Sequence, residues 1–149
     1  MSMRKMDTAS DEAWIGYCLK VVQHRLRQRL EAELAGTGVS ASQNAVLLAI
    51  GDNPRISNAS LARAAFVTPQ SMQGMLVTLE RDGFIVRTPH PEHGRIIMTE
   101  LTEKGSAAAQ AGAIAAEAAE RQMLEDLTGD EVNLLRTLLQ RCAHALQEE

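Results

Sequence analysis

Between Ser57 and Leu101 the chain places two helix-start signals close together and then changes its apolar period from that of a helix to that of a strand. Ser57 caps a helix N-terminus well, and Leu61, Ala62 and Ala65 behind it predict a short helix over 58–65. Thr68 followed by Pro69 is a second start, because proline at the first helical position gives up no helical hydrogen bond. That helix is predicted over Pro69 to Asp82, with Met72, Met75, Leu76 and Leu79 facing inward and Gly83 placed to end it. Phe84 to Thr88 and Arg95 to Leu101 then read as two strands around the breaker-rich Pro89-His90-Pro91-Glu92-His93-Gly94, a hairpin with a long tip. A helix, a tight turn, a second helix with a polar start and a hairpin together make a winged helix-turn-helix over 40–105.

The flanks are helical. From Asp11 to Ala35 the residues Ile15, Cys18, Leu19, Val22, Leu26, Leu30 and Leu34 recur at steps of three and four, and Gly36 and Gly38 end the pattern. Ser40 with Gln43 makes a capping box for a helix over Ala41 to Ile50, which Pro54 prevents from continuing. Thr102 caps a helix expected to reach Leu127 through an alanine-dense stretch, Ala107 to Ala119. Thr128 with Glu131 opens a last helix to Leu146, apolar on one side. With 149 residues, 45% hydrophobic and only four aromatic (Trp14, Tyr17, Phe66, Phe84), the chain is expected to be a single, mostly α (α+β) domain.

The formal net charge of −4 argues at first against a nucleic-acid partner. Residues 54–105, however, carry six basic side chains against five acidic ones, while residues 106–149 carry three against eight. The acidity belongs to the C-terminal third, and the middle segment is free to present a locally positive surface to a polyanion. No apolar run reaches the ~18 residues of a membrane span, and Met1 to Asp7 is polar, so a cytoplasmic protein with no membrane partner is expected. Cys18 and Cys142 form no CxxC pair, which disfavours a disulfide framework or a cysteine-rich zinc site, and Cys142, on the apolar side of the last helix, is expected in the core. No Ser/His/Asp set, phosphate loop or paired catalytic carboxylate is placed to support chemistry, so neither an enzyme nor a cofactor is expected.

In a winged helix-turn-helix the second helix enters the major groove, where each base pair displays its own donor and acceptor pattern. Thr68, Gln70, Ser71 and Gln73 stand at that helix's start: hydroxyls suit phosphates or base edges, and a glutamine pairs with adenine. Ser57 and Arg63 on the preceding helix are further DNA-binding candidates, and Arg95 at the hairpin is suited to the negative potential of a narrow minor groove. Each of these residues alone also reads as a solvated surface side chain.

The chain resembles the MarR family of bacterial transcriptional regulators. The resemblance rests on Leu61-Ala62, Thr68-Pro69-Gln70-Ser71, Leu79-Glu80-Arg81-Asp82-Gly83-Phe84-Ile85, Gly94-Arg95 and Leu101-Thr102-Glu103-Lys104-Gly105, in this order and spacing. It implies an obligate homodimer whose terminal helices, 11–35 and 106–147, interlock, and a ligand-responsive repressor that binds double-stranded DNA at a pseudo-palindromic operator. It also implies a small-molecule effector bound between the dimerisation helices and the winged module. Trp14 and Tyr17 either line such a pocket or pack at the dimer seam, and Cys18 is either the reactive cysteine of a redox-sensing regulator or an inert small hydrophobe. His90, Glu92 and His93 have the chemistry of zinc ligands, but a solvated hairpin tip accounts for them better, and no metal is expected.

Three positions depart from the family pattern. His93 stands where an acidic residue usually orients the wing arginine, which implies that Arg95 is steered differently or becomes pH-sensitive. Gly74 and Thr78 stand where relatives often carry arginines, which implies a shallow salt dependence. Gly74 permits close approach either to DNA or to a neighbouring helix. The departures leave one rival class open, a winged-helix protein-interaction module without specific DNA binding.

Overall fold

The computed structural model describes residues 14–147. Its element order is α1 (Ile15–Glu33), α2 (Ala41–Asp52), α3 (Asn58–Ala64), α4 (Pro69–Arg81), β1 (Ile85–Pro89), β2 (Ile97–Leu101), α5 (Glu103–Met123) and α6 (Gly129–Ala145). The expected winged helix-turn-helix, mostly α with one small sheet, is the architecture observed. β1 and β2 pair antiparallel, with Ile85 opposite Leu101 and Pro89 opposite Ile97.

Capping explains where the helices begin. The hydroxyl oxygens of Ser40, Ser57, Thr68, Thr102 and Thr128 each accept a hydrogen bond from the backbone N–H three residues on. At Ser40 and Thr128 the box is reciprocal, with the Gln43 and Glu131 side chains accepting from the cap residue's own N–H. Gly83 ends α4 with φ +82°, a backbone that glycine adopts without strain.

Most boundaries fall within two residues of expectation, and three differences bear on the architecture. α1 begins at Ile15, and the first residues of its predicted span, 11–13, lie outside the described residues. α5 stops at Met123: Leu124 still bonds back to Glu120 as in a helix, but the N–H groups of Glu125 and Leu127 bond to the carbonyls of Gln122 and Leu124, only three residues back, in a tightened turn. β2 starts at Ile97, which leaves Arg95 in the turn between the strands.

One cluster holds the module together: Val46, Leu47 and Ile50 of α2, Leu61 and Ala62 of α3, Met72, Leu76 and Leu79 of α4, and Phe84 and Ile85 before and within β1. α5 packs on α1 and α2 through a stripe of small buried residues, Gly105, Ala109, Gly112, Ala115 and Ala119, which lets the helix axes approach closely. At its start, a Cβ on Gly105 would lie 1.9 Å from the Phe84 carbonyl oxygen, so only glycine fits where α5 meets the hairpin.

α1 and α6 differ from the rest in having no buried residue. Their apolar stripes, among them Leu19 and Val22 on α1 and Leu134, Leu138 and Leu139 on α6, are exposed in the protomer. Cys142, expected in the core, is exposed on α6 for the same reason. No helix among the described residues is long and apolar enough to cross a membrane.

Candidate nucleic-acid interface

α4 is fixed from one side only. Met72, Leu76 and Leu79 are fully buried, and burying a side chain of this size is worth about 1.5–3 kcal/mol, so the helix is held rigidly while its opposite side stays in water. Thr68, Gln70, Ser71, Gln73 and Gly74 are all on that exposed side or at its leading end.

The structure brings some predicted residues together and leaves others apart. Thr68 Oγ1 accepts from the Ser71 N–H at 3.1 Å and donates to Ser71 Oγ at 3.0 Å, so the Thr68 hydroxyl is committed to the cap and the Ser71 hydroxyl keeps its proton free to donate outward. On α3, Ser57 Oγ donates to Ser60 Oγ at 3.0 Å, and Arg63 Nη2 donates to the same Ser60 oxygen at 3.1 Å. Arg63 therefore lies over the first turn of α3 with its remaining donors exposed. Arg95 stands by itself at the hairpin tip, exposed and without a hydrogen-bond or ion-pair partner among the described residues.

Gln73 sits differently. Its Oε1 accepts from Asn58 Nδ2 and from Arg87 Nη1, both at 3.2 Å. Arg87 is further held by Glu80, whose Oε2 accepts from the Arg87 backbone N–H at 3.1 Å and lies 3.7 Å from Nε. This group ties the first residue of α3, the middle of α4 and β1 together around an open cleft of about 340 Å³. Asn58, Glu80 and Arg87 were not among the sequence candidates. The signal was present in the strand alternation: Ile85 is buried, and Arg87, two residues on, lies on the same face of β1.

The hairpin tip is closed by its own atoms. The His90 N–H donates to the Ile96 carbonyl at 2.7 Å, and His90 Nδ1 accepts from the N–H groups of Glu92 at 3.0 Å and His93 at 3.2 Å. The effector candidates Trp14, Tyr17 and Cys18 lie at the start of α1, Trp14 exposed and the other two half-buried. They do not line the cleft of about 290 Å³ further along, which Val22, Arg25, Leu26 and Arg29 of α1 form with Ala119, Gln122, Met123 and Glu125.

A model of the MarR family matches residues 37–96. The HTH-type transcriptional repressor Rv2887 of Mycobacterium tuberculosis is 32% identical over 132 residues, which cover 89% of this chain and 95% of that protein. The chain belongs to the MarR family. Membership makes it a helix-turn-helix transcriptional regulator and not an enzyme. Among solved structures, the M. tuberculosis MarR-family protein Rv2887 in complex with salicylic acid matches with a TM-score of 0.71 and 32% identity, over 89% of this chain and 98% of that one. A cysteine-to-serine mutant of MarR from E. coli complexed with operator DNA matches with a TM-score of 0.79 and 26% identity, over 86% and 92%.

Within this MarR-family module the three departures have structural outcomes. The His93 ring lies 5.1 Å from that of His90, and no hydrogen bond joins His93 to Arg95 among the described residues. A Cβ on Gly74 would meet nothing within 4 Å, so no neighbouring helix of the protomer requires glycine there. Thr78 turns its hydroxyl inward along its own helix, where Oγ1 donates to the Gly74 carbonyl at 3.2 Å.

Proposed function

We propose that the protein is a cytoplasmic, homodimeric, ligand-responsive repressor that binds double-stranded DNA at a pseudo-palindromic operator. The observation that carries this reading is α4 itself: a helix anchored by three buried side chains, with a capped, polar leading end that stays exposed. In the proposed complex Gln70, Ser71 and Gln73 meet the major groove beside Thr68, Ser57 and Arg63 face phosphates, and Arg95 reaches the minor groove. Residues 11–35 and 106–147 would form the dimer, since the apolar stripes of α1 and α6 have no cover within one protomer. The operator-bound and salicylic-acid-bound relatives support both the DNA partner and a small-molecule effector. The effector is proposed to bind on the α1 side of the module, where Trp14, Tyr17 and Cys18 are the candidate contacts.

Selection of duplexes from a random library, followed by titration at several salt concentrations, tests this reading. A twofold-symmetric site bound by a dimer is expected, with Arg95→Ala and Gln70→Ala each lowering affinity by about tenfold. Binding that stays equally weak for every duplex would favour the protein-interaction module.

A further inference from the structure

The contacts of Gln73 decide which half of its amide is left to read DNA. Arginine has only donors, so the atom that Arg87 Nη1 approaches at 3.2 Å must be the Gln73 oxygen. Asn58 Nδ2 donates to that same oxygen, also at 3.2 Å. An amide oxygen has two lone pairs, and both are engaged. Arg87 cannot easily leave: its side chain is only 15% exposed, and the Glu80 carboxylate, which accepts from the Arg87 backbone N–H, lies 3.7 Å from Nε as an ion-pair partner. The free part of Gln73 is therefore Nε2, a donor.

A glutamine that recognises adenine needs both halves, with Oε1 accepting from N6 and Nε2 donating to N7. That pairing is closed to Gln73. A lone donor finds two acceptors on guanine, O6 and N7, and one on thymine, O4; on adenine it finds N7 alone, beside an amino donor that Gln73 has no acceptor to meet, and on cytosine it finds only a donor. Resting on the DNA-binding reading above, we propose that Gln73 is a specificity-determining residue that selects a keto base, guanine or thymine, against cytosine at one position of each half-site, and that it gives adenine no two-point contact there. Asn58 and Arg87 act as positioning residues that hold its amide in this orientation.

The test uses the full-length protein and a duplex selected by it, with each half-site position exchanged between keto and amino bases. Wild type is expected to lose about tenfold in affinity on replacing the keto base by cytosine at one position, the scale of a single mismatch. Gln73→Glu keeps oxygens for Asn58 and Arg87 but presents an acceptor to the groove. It is expected to invert the preference at that position toward cytosine or adenine and leave the other positions unchanged. Asn58→Ala frees one lone pair and is expected to raise tolerance for adenine there. An adenine preference in wild type that Gln73→Glu abolishes would overturn the proposal, as would a loss in Gln73→Glu spread evenly over all positions. A wild type that selects no duplex at all would instead overturn the DNA-binding reading, and the proposal with it.

Discussion

The bare α-carbon of Gly112 on α5 faces the carboxamide of Asn44 on α2, so closely that a Cβ there would lie 1.7 Å from Asn44 Oδ1. Asn44 is 2% exposed, and its Nδ2 donates to the Gly112 carbonyl at 3.4 Å. This contact sets the spacing between the winged module and the long helix behind it. Gly112→Ala is expected to destabilise the fold by about 1–3 kcal/mol through overpacking, despite the helix propensity gained. Urea midpoints would measure it, and Asn44→Ala in the same chain should recover part of the loss. An unchanged midpoint in the single variant would mean that α5 shifts away at little cost.

Gly74 has open space where a side chain would be. In an exposed helix interior, replacing glycine by alanine stabilises by about 1 kcal/mol, so Gly74→Ala should raise the midpoint. The same variant is expected to bind the operator more weakly, because the space lies beside Gln70 and Gln73 on the outer side of α4. Equal affinity at higher stability would remove Gly74 from the interface.

Phe66, in the turn between α3 and α4, has φ +55° and is 96% exposed. A left-handed backbone costs a residue with a Cβ about 1–2 kcal/mol, and this ring recovers almost nothing by burial. Phe66→Gly should raise Tm by a few degrees, about 3 °C for a net gain of 1 kcal/mol, as read by thermal circular dichroism. A lower Tm would show that the ring is packed in solution.

Glu131 gives the start of α6 a pH-dependent contribution. Its carboxyl is held below the usual carboxylate range, first by the Thr128 backbone N–H and then by the Thr128 hydroxyl. A depressed carboxylate contributes stability that is present above its ordinary range and is lost as pH falls through the depressed value. The stability advantage of wild type over Glu131→Gln is therefore expected at neutral pH and should vanish on acidification below that range. An advantage that survives at low pH would assign it to the hydrogen bond rather than the charge.

Local chemistry made most of the fold readable in advance. Ser40, Ser57, Thr68, Thr102 and Thr128 are all N-caps where their side chains suggested, because a cap depends on residues within one turn. The end of α5 falls four residues before the expected Leu127, since nothing in Leu124 to Leu127 is a helix breaker and only the tightened backbone turn ends the helix. At the interface, residue type pointed to Gln73 but not to its partners. Asn58 and Arg87 are far from it in sequence, and their meeting depends on how α3 and β1 pack against α4, a tertiary event that periodicity does not encode.

The helix α6 buries none of its side chains, and its leucines stand partly in water. For a subunit that completes its structure by association, concentration acts as a stabilising ligand and dilution as a mild denaturant. A cell with few copies would thus hold a less durable regulator than a cell with many, and the supply of the protein would set its lifetime as well as its occupancy of DNA.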